Sequence, residues 1–160
     1  MQRSFKIYTA AGILFTLILG TLSHFFYQWS GSFFPVGLVS PVNETVWEHL
    51  KLLFFPALLF MLAEQQFLAY RCPQLSCKNL LGLYAGLLSM PVLFYLYTFF
   101  TGRSYLWIDI TIFIISVLIT FLTAYFLRKK VLSDTLCRLV RILLWVLLAV
   151  FLVISLYFML

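Results

Sequence analysis

The chain has 160 residues, of which 64% are hydrophobic and 10% charged, with a mean hydropathy of +1.05. A soluble domain is about half apolar and a quarter charged, so a fold bathed in water is excluded and most of the surface must face lipid. The net charge of +6 then reads as a topology signal with affinity for anionic lipid headgroups, not as a nucleic-acid footprint.

A helix that crosses about 30 Å of hydrocarbon needs about 20 apolar residues. The first candidate span covers about 7–29. Arg3 and Lys6 precede it as they would in a signal peptide, but the apolar run is too long and no small-x-small cleavage pattern follows. The second, about 43–70, opens with the most polar stretch of the chain, "SPVNETVWEHLKL". Spans three to five cover about 79–101, 106–128 and 137–159. Short connections make these one all-α domain over 1–160, an up-and-down integral membrane bundle of five transmembrane helices. Pro56 and Pro91 fall inside spans two and three and predict kinks.

Lys and Arg orient the bundle. With the N-terminus cytoplasmic and the C-terminus outside, nine of the eleven lie inside: Arg3, Lys6, Arg71, Lys78, Arg128, Lys129, Lys130, Arg138 and Arg141. Only Lys51 and Arg103 are outside. This is the pattern of a multi-pass protein of the plasma membrane. Trp29, Trp47 and Trp107 then sit near the outer interface and Trp145 near the inner one. Cys72, Cys77 and Cys137 all map to the reducing cytoplasmic side, which predicts free thiols.

The remaining polar groups collect in the outer half. His24 lies about 7 Å below Trp29. Asn43, Glu44, Glu48, His49 and Lys51 occupy the opening turns of span two, and Arg103 and Asp109 border span four. Ser40 is the expected helix cap with Pro41 at the first helical position, and Asn43 is the alternative cap. Either places Glu44 in the opening turn, where the helix dipole favours a carboxylate. On a helix, Glu44, Glu48 and Lys51 share a stripe roughly 60° wide, while His49 points about 100° from Glu48. Two carboxylates on one stripe need a compensating charge: Lys51, Arg103, a protonated His24, a proton or a metal ion. A polar knot joining spans one, two and four would answer the same need.

The segments "HFFYQWSG", "PVNETVWEHLKLLFFP" and "YTFFTGRSYLWIDITIF" resemble an uncharacterised family of small bacterial multi-span membrane proteins, a domain of unknown function. Its signature is P-V-N-E-[ST]-x-W-E-H-x-K. The resemblance implies that His24, Asn43, Glu44, Trp47, Glu48, His49, Lys51, Gly102 and Asp109 belong to the family's motifs. It brings no activity with it.

Three functions fit these residues. The first is an intramembrane hydrolase acting on a lipid-like substrate at the outer leaflet. His24, Glu44, Glu48 and Asp109 are its expected ligands for a divalent metal such as zinc. Glu48, His49 and Lys51 are its expected catalytic groups, and Asn43, Trp47 and Arg103 its substrate contacts. Glu48 and His49, being adjacent, are poorly placed to ligate one ion from a single helix, so one of them falls to a supporting role. The second is a lipid- or ligand-binding module, or an accessory subunit. The third is a proton-coupled transporter, for which the apolar middles of spans one, four and five offer few polar steps. Membrane lipids are the expected partners in every case, with a second copy or a partner membrane subunit as a further one.

Overall fold

The computed structural model describes residues 2–159, which form six α-helices and, among the described residues, no strand. The helices are α1 (Gln2–Trp29), α2 (Phe34–Val39), α3 (Val46–Leu68), α4 (Leu75–Thr101), α5 (Leu106–Leu127) and α6 (Asp134–Met159), with a 3₁₀ turn at Ala69–Arg71. Five are long and apolar enough to cross a membrane; α2 is a six-residue helix that the sequence reading did not anticipate. Spans one, three and five begin three to five residues before their expected starts.

Four helices close a ring: α1 packs on α3, α3 on α4, α4 on α5 and α5 back on α1. α6 leans on the outside, against α4 and α2, and is the least buried of the spans. Leu53, Phe54, Leu83, Val117 and Phe121 fill the interior, and Phe151 of α6 plugs in beside Phe54 with ring centroids 4.7 Å apart. Leu88, Phe99, Trp107 and Trp145 stay exposed on the outside, as lipid contact requires.

Small residues set the closest contacts. Gly82 and Gly86, a G-x-x-x-G pair one turn apart, press against Thr120, Ala124 and the backbone of Ser116 on α5. Removing side chains lets two helices approach closely where lipid supplies no hydrophobic drive between them. On α1, Gly20 abuts the carbonyl oxygen of Leu52. That carbonyl is the one Pro56 deprives of its helical N–H partner, so the proline and the glycine serve one close approach. Pro56 and Pro91 both sit inside continuous helices.

Two expectations are corrected. The first helical residue of α3 is Val46, and its cap is Thr45, whose hydroxyl accepts the Glu48 N–H at 3.4 Å. Ser40 instead ends α2, and Asn43 Oδ1 accepts the Thr45 N–H at 3.0 Å and the Thr45 hydroxyl at 2.7 Å. Glu44 therefore precedes the helix, and the stripe it was expected to share with Glu48 and Lys51 does not form. The second concerns the thiols. Cys77 and Cys137, expected free, are joined in a disulfide between the first turns of α4 and α6, with Cα atoms 5.1 Å apart. The expectation came from compartment alone, whereas the fold brings two positions 60 residues apart within bonding range. Cys72 is free and buried.

The end of the bundle opposite the Glu44 stretch is held by buried and half-buried charges, Arg128 and Lys78 among them, which the sequence reading used only to orient the spans. Arg128 donates to Glu64 Oε1 at 2.6 Å and to the Phe5 carbonyl at 3.3 Å, and lies over the Phe5 ring. Asn79 donates to Glu64 Oε2 at 2.8 Å, and buried Lys78 donates to the Pro73 carbonyl at 2.8 Å. Paired in this way, a carboxylate and a guanidinium are tolerable inside an apolar bundle.

Candidate functional site

The α2–α3 loop is laced to the inner face of α3 by a pair of fully buried charges. Lys51 Nζ donates to Glu48 Oε2 at 2.7 Å and to the carbonyls of Gly37 and Ser40 at 2.9 and 3.4 Å. Glu48 Oε2 also accepts the Val42 N–H at 2.9 Å. These bonds satisfy backbone of α2 and of the loop after it that would otherwise be stranded. Trp47 reinforces the joint by packing on Phe151, ring centroids 4.8 Å apart.

Glu44 turns the other way from Glu48, toward two imidazoles. Its Oε1 is 3.6 Å from His24 Nε2 and its Oε2 is 3.4 Å from His49 Nε2. His24 comes from the last turns of α1 and His49 from the first turn of α3; their ring centroids are 5.5 Å apart. One candidate ligand atom from each of the three lies within 4.8 Å of the others. The imidazoles are about one-third exposed and Glu44 is 80% exposed, so the cluster sits at a rim.

The tautomer of His49 follows from its neighbour. Its Nδ1 is 2.9 Å from the Thr45 carbonyl, which can only accept, so Nδ1 carries a hydrogen and Nε2 is the ring nitrogen that faces Glu44. This is the backing that metal-bound histidines ordinarily have. Among the described residues, His24 Nδ1 is buried without a partner, so its tautomer is free to follow whatever its Nε2 meets. Two donors about 2.1 Å from a tetrahedral ion are about 3.4 Å apart; here the two imidazoles approach different oxygens of Glu44, and one ligand atom from each residue lies within 4.8 Å of the others, so a small closure would bring the three onto one ion. Two imidazoles and a carboxylate with a fourth position open is the ligand set of catalytic zinc sites.

Beside the cluster, a cavity of about 210 Å³ runs between α3, α4 and α5. Glu44, His49, Ser104 and Asp109 are its polar lining; Leu52, Met90, Phe94, Leu106, Ile112 and Phe113 make the rest largely apolar. Asp109 accepts a hydrogen bond from the Tyr97 hydroxyl.

The structure therefore brings together His24, Glu44 and His49, with Asp109 across the cavity. Glu48 and Lys51 are spent on each other and on the loop. Glu48 and Asp109, expected as ligands, lie outside the three-residue cluster, and His49, expected as a catalytic group, lies within it. Among the expected substrate contacts, Asn43 braces the helix cap and Trp47 packs against α6. Arg103 lies over the Tyr105 ring with its Nε donating to the Tyr105 hydroxyl at 2.6 Å. None of the three lines the cavity. Tyr97 and Ser104 were not singled out from the sequence, although Tyr97 begins the Y-T-x-x-x-G segment that also ends α4 at Gly102, whose φ of +71° is left-handed.

Fold and site together define a five-span helical bundle of membrane-protein character with a His–Glu–His cluster at one end. The chain belongs to the family of unknown function DUF6512, whose sequence model matches residues 1–159. Neither the curated proteins nor the solved structures contain a match to it.

Proposed function

We propose that this protein is a metal-dependent hydrolase of the plasma membrane that acts on a lipid-like substrate. The observation that carries the reading is the convergence of His24, Glu44 and His49 beside a largely apolar cavity. These three residues would hold a divalent ion such as zinc, which in such a site activates water for hydrolysis. The excess of Lys and Arg at the opposite end supports an outward-facing site, with the N-terminus in the cytoplasm and the C-terminus outside. A substrate partitioned into the outer leaflet would reach the cavity with its apolar part among Phe94, Leu106 and Phe113 and its polar part beside His49.

Elemental analysis of the detergent-purified protein, prepared without added metal, tests the ligand set. About one zinc or similar ion per chain is expected, and Glu44→Gln and His24→Ala should each lose it. A wild-type protein that binds no divalent ion, even after dialysis against micromolar zinc, would overturn the reading and leave the cluster as an ion-pair knot between α1 and α3.

A further inference from the structure

The charges around the cavity bear on the substrate. Its ionisable lining residues, among those described, are Glu44, His49 and Asp109, and no Lys or Arg lines it. The basic residues nearest in sequence are committed elsewhere, Lys51 to Glu48 and Arg103 to Tyr105. A divalent ion partnered by Glu44 keeps one positive charge, which the Asp109 carboxylate balances. A phosphate or sulfate ester would add a negative charge with no further cation to meet it, at a cost that grows in low dielectric. An uncharged carbonyl group meets no such opposition.

Asp109 is also built as an acceptor. The Tyr105 N–H donates to the Tyr97 hydroxyl oxygen at 3.2 Å, so the single hydrogen of that hydroxyl is left for Asp109 Oδ1. The Asp109 N–H donates to the Tyr105 carbonyl at 3.0 Å, which fixes the residue in the first turn of α5, where the helix dipole favours a carboxylate. Among the described residues, Oδ2 takes no hydrogen bond. One oxygen is thus held while the other is unengaged, on a residue that lines the same cavity as His49.

We infer that the site takes uncharged acyl esters of membrane amphiphiles, with Asp109 as the proton acceptor for the attacking water and Tyr97 as its positioning residue. This rests on the hydrolase reading. In the first step the water oxygen bonds to the acyl carbon, one water proton passes to Asp109 Oδ2, and the carbonyl π pair moves onto the carbonyl oxygen. In the second that pair returns, the bond from the acyl carbon to the alcohol oxygen breaks, and Asp109 gives its proton to the departing alkoxide. A carboxylic acid and an alcohol result, with no oxidant or reductant required. General-base groups of this kind contribute about 10²–10⁴-fold in rate.

The test uses the full zinc-loaded chain in detergent micelles with two fluorogenic probes, 4-methylumbelliferyl heptanoate and bis(4-methylumbelliferyl) phosphate. The wild type should hydrolyse the heptanoate and leave the phosphodiester. Asp109→Asn should keep its metal yet lose about 10²–10⁴-fold in kcat. In Asp109→Ala, added formate should restore part of the lost rate, which a misfolded variant could not show. Tyr97→Phe should lower kcat by about tenfold with KM unchanged. Full activity in Asp109→Asn, or loss of its metal, would overturn the role of Asp109, and preference for the phosphodiester would overturn the substrate class. A metal-loaded wild type that cleaves neither probe would overturn the hydrolase reading and this inference with it.

Discussion

Replacing Lys51 with methionine tests whether the buried pair under the site is structural. Methionine keeps most of the length and apolar bulk of the side chain but removes the charge and its donors to Glu48, Gly37 and Ser40. Among the described residues, Glu48 is then left fully buried with the Val42 N–H as its one donor, because its Oε1 already has no partner. Removing one member of a buried pair costs about 3–5 kcal/mol. For a chain of this length each kcal/mol moves the melting temperature by about 2–4 °C, so the expected fall is roughly 6–20 °C. A maleimide dye reports the transition, since Cys72 is a buried free thiol that unfolding exposes. Adding Glu48→Gln to Lys51→Met removes the stranded charge and should recover much of the loss. Metal content should be unchanged in the folded Lys51→Met protein. A melting temperature within about 2 °C of wild type would refute the argument and return Lys51 to the list of catalytic candidates.

Other substitutions probe the frame. Gly86→Ala drives a Cβ to 2.7 Å from the Ser116 carbonyl oxygen and against the Thr120 side chain; overpacking of this kind costs about 1–3 kcal/mol, read by the same dye, and an unchanged melting temperature would show that α4 and α5 are not packed this closely. Arg128→Met strands the Glu64 carboxylate with Asn79 as its remaining partner and should cost about 3–5 kcal/mol, largely recovered by adding Glu64→Gln; equal melting of Arg128→Met and wild type would argue against the pair. Alkylation of denatured, unreduced protein should add one label, at Cys72, and three after reduction; three labels before reduction would exclude the disulfide.

The polar stretch shows how far the residues could be read in advance. That His24, Glu44, His49 and Asp109 gather at one end of the bundle follows from span boundaries and antiparallel order alone, and the structure puts all four around one rim and cavity. Which carboxylate goes where did not follow, because it turns on the helix starting at Val46. With Thr45 as the cap, Glu44 is loop and can face His24, while Glu48, one turn in, faces Lys51. Several competent caps stand in a row from Ser40 to Thr45, and their local propensities are too alike to choose among. The α4–α5 contact was not read in advance, although Gly82-x-x-x-Gly86 in an apolar helix is a close-packing signal.

Composition and hydrophobic run length determined that the chain is a five-span membrane-type bundle, because only helices and closed barrels satisfy the backbone in lipid and apolar runs of about 20 residues fit helices. The pairing of Glu48 with Lys51, of Glu64 with Arg128 and of Cys77 with Cys137, and the separate meeting of Glu44 with two histidines, were decided by tertiary structure. Each depends on a rotation or a cap position of a few ångströms. Hydropathy averaged over 20 residues cannot register such a shift, but a hydrogen bond in low dielectric is made or lost by it.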